Sequence, residues 1–193
     1  MVVGVVALCL EVNPQLNWRD VQGVLIESAD LTDPNHSDWS FNGAGYHINH
    51  QYGFGRVNAT AAVFQASNWI SFPPYRSHFS GNTTVNTNVP DHSSLTKSWT
   101  NTVDMVVEHV EVYFSFTIVR RGQLRITVTS PAGTVSVLAD QRSDNNPNYD
   151  RWLFTSMRHW GESAIGSWSV TVEDKVAGLS GTFNSYEIRL YGH

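Results

Sequence analysis

The spacing of hydrophobic residues changes once along the chain, near residue 71. The opening run Val2-Val3-Gly4-Val5-Val6-Ala7-Leu8-Cys9-Leu10 is apolar on every side, which predicts a helix covered on several faces. Asn13-Pro14 ends it, because proline has no amide donor and its ring clashes with the preceding turn. Asn17 is placed to cap a second helix through Ser28, in which Trp18, Val21, Val24, Leu25 and Ser28 share a face. Residues 30–55 read as loop, with Gly43, Gly45, Gly53 and Gly55 permitting sharp turns. A third helix is expected from Asn58 to Trp69, with Ala59, Ala62, Val63 and Ala66 on one side.

After Phe72-Pro73-Pro74 the period becomes two. Residues 71–103, rich in Ser, Thr and Asn, read as linker and short strands. Val106, Val110, Val112, Phe114, Phe116 and Ile118 then fall on one face, with Glu108 as the exception. Leu124, Ile126 and Val128 alternate with polar neighbours, as do Val135 and Val137, Trp168, Val170 and Val172, and Tyr186, Ile188 and Leu190. Arg120–Gln123 and Ser130–Gly133 read as turns. Such half-buried strands predict a mainly β fold, an antiparallel sandwich or barrel. The expected division is 1–70, helical, and 71–193, β.

Composition fits that reading. Of 193 residues, 15% are charged, against roughly 25% in an average soluble protein; 20 Ser, 15 Thr and 15 Asn take their place. A net charge of −5 with no basic cluster beyond Arg120-Arg121 argues against a nucleic-acid partner, which needs a concentrated basic face. The single cysteine, Cys9, excludes an internal disulfide framework and reads as a small buried hydrophobe. The opening run has no positive leader and no small-residue cleavage site. It is also shorter than the ~20 residues that span a bilayer, so no membrane segment is expected. Little in the following residues could cover it, so this chain is expected to be a piece of something larger. Asn35-His36-Ser37, Asn58-Ala59-Thr60 and Asn82-Thr83-Thr84 are N-glycosylation triplets.

Candidate chemistry is sparse. Gly133-Thr134-Val135-Ser136 lacks the Gly-x-Ser-x-Gly elbow of a hydrolase and reads as a hairpin turn. His47 and His50 have a spacing found in zinc sites, but lie in a Gly-rich loop with no His-Glu-x-x-His, where loop-ordering hydrogen bonds suffice. Asp140, Asp144 and Asp150 make an oxygen-rich segment of the kind that can hold calcium; it lacks the EF-hand spacing and reads as a solvated turn. Trp152, Trp160 and Trp168 suggest sugar stacking, yet aromatics at strand positions mostly pack inside, and Trp168 is expected in the core.

Val3-Gly4-Val5-Val6-Ala7-Leu8, then Asn13-Pro14-x-Leu16-x-Trp18-Arg19-Asp20-Val21-Gln22, resembles the segment after the nucleophile in kexin- and furin-type proprotein convertases, which are subtilisin-like serine proteases. Asp38-Trp39-x-x-Asn42-Gly43-x-Gly45 and His50-x-Tyr52-Gly53-Phe54-Gly55-x-x-Asn58-Ala59 are similar to the end of that catalytic domain. The β-part resembles the family's P, or homo B, domain. The matching pieces are Glu108-His109-Val110, Arg120-Arg121-Gly122-Gln123-Leu124, Thr129-Ser130-Pro131-x-Gly133-Thr134, Trp152-x-Phe154, His159-Trp160-Gly161-Glu162, Gly166-x-Trp168 and Leu190-Tyr191-Gly192.

The resemblance implies a jelly-roll β-sandwich of eight strands, preceded by the helical C-terminal remnant of a subtilisin-like α/β domain. It implies a calcium-dependent parent endoprotease of the secretory pathway or extracellular space that cuts proproteins after paired basic residues. The P domain would then stabilise and regulate the upstream catalytic domain, its partner. The family's Gly-Thr-Ser-x-x-x-Pro nucleophile stretch would precede Val2. Its Asp, His, oxyanion-hole Asn and substrate-binding acids lie further upstream. No catalytic, substrate-binding or metal residue is therefore assigned here, this chain alone is expected to be inactive, and no cofactor is assigned within it. The rival expectation is a free-standing β-sandwich that binds carbohydrate or protein, with exposed Trp or Tyr in a row. A third, a hydrolase using His47 and His50, would carry zinc.

Overall fold

The computed structural model describes all residues, 1–193. They form two compact units, Met1–Tyr75 and Arg76–His193. Strand accounts for 41% of the residues and helix for 17%, so the chain is mainly β.

The first unit holds α1 (Val2–Val12), α2 (Trp18–Glu27), a short ribbon of β1 (Ser40–Phe41) and β2 (His47–Ile48), and α3 (Ala59–Ser67). Val5, Cys9, Leu16, Val24, Ala62 and Ala66 form its small core. Asn17 caps α2 through a capping box: its side chain accepts from the amides of Arg19 and Asp20, and the Asp20 carboxylate accepts from the Asn17 amide. The predicted face of α2 is rotated. Trp18 is 58% exposed, while Arg19 and Asp20 are buried. The segment after α3 causes this. The Trp69 indole and the Phe72 amide both donate to Asp20 Oδ1, at 3.1 and 3.0 Å, and Arg19 donates to the Pro73 carbonyl at 2.8 Å. A Cβ on Gly23 would lie 2.6 Å from the Trp69 ring, so that close approach needs glycine. The expected loop 30–55 contains the β1–β2 ribbon, which pairs Ser40 with Ile48 and Phe41 with His47.

The second unit is a β-sandwich. Its strands are β3 (Arg76–Phe79), β4 (Thr83–Val89), β5 (Ser94–Asn101), β6 (Val107–Thr117), β7 (Leu124–Thr129), β8 (Val135–Ala139), β9 (Tyr149–Ser156), β10 (Gly166–Asp174) and β11 (Gly181–Gly192). One sheet runs β5-β10-β7-β8; the other runs β3-β11-β6-β9, with β4 also on β11. Eight strands were expected and nine segments are found, for a simple reason. β3 pairs with Gly192–Arg189 and β4 with Tyr186–Gly181. The two therefore run as one lane along β11, broken at Ser80-Gly81-Asn82. The sandwich has eight lanes.

Residues 76–101, expected as linker and short strands, instead form three regular strands. Thr84, Asn86, Asn88, Ser94, Thr96, Ser98 and Thr100 occupy outward positions, while Val89, Val85, Leu95 and Trp99 face the core and share that face with Thr83, Thr87 and the buried Asn101. Two further corrections concern strand phase, the first of them from a bulge. Gly192 pairs with Val107 and Tyr191 with His109, so Glu108 is an extra residue on β6. The inward phase thereby passes to Val107, which is fully buried, and Val106 is 38% exposed. On β8, Ser136 pairs with the interior Val128 and so faces inward, which leaves Val135 exposed.

Candidate functional site

The residues singled out by chemistry do not converge. His50 Nδ1 lies 3.0 Å from Asp38 Oδ1 and the His50 amide donates to Asp38 Oδ2 at 2.5 Å, so this histidine ties the loop to Asp38. His47 packs edge-on against Trp39 at 5.4 Å. No three His, Cys, Asp or Glu side chains are grouped to hold a metal ion. In the 140–150 segment, Asp144 Oδ2 accepts from Arg121 Nε at 2.8 Å and an Arg142 guanidinium nitrogen at 2.9 Å. Asp144 Oδ1 accepts from the Asn146 amide at 3.1 Å. The Arg121 hydrogen bond, followed by the Asn146 amide, holds the Asp144 carboxyl well below the usual carboxylate range. Two cations already surround its oxygens, so Asp144 clasps the loop to the 3-10 turn Arg121–Gln123.

Ser136 is buried and pairs with Ser156, Oγ to Oγ at 2.7 Å, whereas nucleophilic activation requires a base. Around it lies a polar network inside the sandwich. The Thr134 hydroxyl donates to Glu162 Oε1 in a short hydrogen bond, and Glu162 Oε2 stands 3.7 Å from His159 Nδ1. His159 is fully buried and meets the Trp168 ring edge-on at 5.1 Å. The Trp168 indole donates to the Ala164 carbonyl at 2.9 Å, which Asn101 Nδ2 also reaches at 2.9 Å. This interior buttress joins the 157–164 turn to both sheets. Sequence reasoning quoted His159 and Glu162 only as part of a motif; their i, i+3 spacing was the available signal.

The aromatics of the second unit are mostly interior. Trp168, Trp160 and Tyr149 are buried, and of the three tryptophans singled out only Trp152 is substantially exposed, with the Arg121 guanidinium 4.9 Å from its ring centre. No row of bare rings is presented. On the outer face of the β3-β11-β6-β9 sheet, Arg189 lies over Phe79 and Tyr113 at 4.9 and 4.5 Å. Arg151 covers Tyr113 from 4.7 Å. Both arginines bond Glu187, at 2.8 and 3.0 Å. His109 stacks flat on Tyr191 at 4.4 Å, and burial lowers its pKa against the opposing pull of Glu111 and Glu108. The other conspicuous surface belongs to the first unit. Val2, Val3, Leu8, Leu10 and Val12 of α1 are exposed, with only Val5 and Cys9 buried, and Phe64 and Ile70 are 72% and 89% exposed.

Residues 107–190 match the family model "Proprotein convertase P-domain". The second unit is a proprotein convertase P domain. The chain is 35% identical over 183 residues to "PC3-like endoprotease variant B" of Hydra vulgaris, covering 90% of this chain and 26% of that protein. It is 34% identical over 207 residues to "Proprotein convertase subtilisin/kexin type 6" of Homo sapiens, covering all of this chain and 21% of that one. The chain thus spans about a quarter of the length of the curated relatives it matches. A serine protease of Aeromonas sobria shares the fold, with a TM-score of 0.89 and 23% identity over 98% of this chain and 42% of that one.

Proposed function

We propose that this chain is the C-terminal region of a kexin/furin-like, calcium-dependent serine endoprotease of the secretory pathway that processes proproteins after paired basic residues. In this reading residues 1–75 complete the subtilisin-like catalytic domain, and the P domain stabilises and regulates it. The observation that carries the reading is α1. A helix with five exposed aliphatic side chains, Val2, Val3, Leu8, Leu10 and Val12, presents apolar surface of the kind that marks an interface. Its occupant would be the rest of the catalytic domain, whose nucleophile stretch the resemblance places just before Val2. The P domain contributes no group to bond cleavage; its role is to hold a rigid scaffold beside the enzyme. Calcium would be held by the upstream catalytic domain.

The test uses the protein from its natural source. Its mass and N-terminal sequence are determined, and cleavage of fluorogenic peptides with paired or single basic residues is followed with and without a calcium chelator. A protein much larger than 21.6 kDa that cuts after paired basic residues, loses activity in chelator and loses it again when 76–193 is deleted supports the reading. A protein with no upstream protease sequence overturns it.

A further inference from the structure

The three Asn-x-Ser/Thr triplets are equivalent in sequence, and the fold separates them. Asn58 is committed. Its side-chain oxygen caps α3 by accepting from the Ala61 amide at 3.0 Å. Its Nδ2 donates to both oxygens of Asp30, at 3.1 and 3.2 Å. A sugar on that nitrogen would displace Asp30 and the turn it anchors, where Asp30 also pairs with Arg56.

Asn82 is the opposite case. It lies at the break in the β3–β4 lane, exposed, with an exposed Thr84 completing its triplet. Gly81 beside it has φ +70°, the left-handed turn that bends the lane and that glycine adopts freely. No hydrogen bond engages the Asn82 side chain. Asn35 shares these features: it and Ser37 are exposed, in a turn closed by the His36 amide on the Asp33 carbonyl at 2.9 Å.

From this contrast we infer that Asn82 and Asn35 are N-glycan acceptors and that Asn58 is not. The inference rests on the secretory reading above. In the transfer, the asparagine Nδ2 attacks the anomeric carbon of a polyprenol-diphosphate-linked oligosaccharide. The C–N bond forms as the C–O bond to the diphosphate breaks, the diphosphate leaves with the electron pair, and the amide loses one proton. At Asn82 the sugar would stand over the outer edge of the β3–β4 lane, which pairs only with β11. Unpaired strand edges invite pairing with other chains, so a glycan there shields the sandwich from edge association.

The whole chain, fused to a secretory leader and carrying a reporter Asn-Gly-Thr triplet after its last residue, is made in a eukaryotic host. Secreted material, or lumenal material if none is secreted, is treated with peptide N-glycosidase in heavy-oxygen water and mapped by mass spectrometry. Label at Asn35 and Asn82 with none at Asn58 is expected. Asn82→Gln and Asn35→Gln each remove one mobility step, and Asn58→Gln removes none. Either exposed asparagine bare in molecules whose reporter carries sugar, or label at Asn58, overturns the assignment. Because the leader supplies entry, a natural protein without sugar beside a glycosylated fusion counts against the secretory reading alone.

Discussion

Trp168 shows how much a single residue carries here. Alternation with Val170 and Val172 placed it inside, and it is fully buried. Its ring fills the space between the sheets and touches His159; its indole shares the Ala164 carbonyl with Asn101. Trp168→Ala removes the ring and leaves a cavity, which costs about 3–5 kcal/mol for a buried aromatic. Trp168→Phe keeps most of the packing and gives up mainly the hydrogen bond, worth about 1 kcal/mol. Urea unfolding of the second unit reads both; a loss below about 1 kcal/mol for the alanine variant would contradict the interior position. Trp18 is the contrary case. It was grouped with the buried face of α2 and is mostly exposed. Helical spacing is blind to the capping carboxylate of Asp20, which recruits Trp69 and Phe72 and turns the neighbouring residues inward.

Elements were legible where one face is apolar and the other polar. β7, β10 and β11 follow that rule, because a one-residue slip would carry every hydrophobic side chain into water. The rule fails at bulges. One extra residue, Glu108, shifts the inward phase of β6, and its charge in the apolar stripe is the one trace the bulge leaves in the sequence. Loops follow charge more than pattern. Asp144 gathers Arg121, Arg142 and Asn146 and so pins the 140–148 loop. Its folded pKa lies below the unfolded value, near ~3.9 for a free aspartate. The stabilisation is therefore complete above that value and is lost as pH falls through the folded one. Asp144→Asn should lower the melting temperature at neutral pH and flatten its fall below about pH 4, so that the two melting curves converge in strong acid. A variant whose melting profile parallels the parent at every pH would show that the clasp contributes nothing.

At the scale of the molecule, the two units differ in self-sufficiency. The P domain closes its own core, from Val89 to Leu190, with seven fully buried hydrophobic residues on β6 and β7 alone: Val107, Val110, Val112, Phe114, Leu124, Ile126 and Val128. The first unit gathers a few small residues around Val24 and Ala62 and leaves most of α1 in water. Residues 76–193 should therefore unfold in one cooperative thermal transition with a β-type circular dichroism spectrum, and residues 1–75 should show none. A sharp transition from 1–75 would mean that α1 needs no partner.

The sequence by itself determined the helices, the change of period near residue 71, most of the inward positions and the resemblance to a P domain. Each is written locally, in periodicity, caps and turn residues. Only the tertiary structure decided that β3 and β4 share one lane, that a bulge exchanges Val106 for Val107, that pairing with Val128 turns Ser136 inward in place of Val135, and that Asn58 is locked while Asn82 stands free. Those outcomes depend on which distant strand or carboxylate lies alongside, and a contact between residues far apart in the chain leaves no periodic trace in either segment.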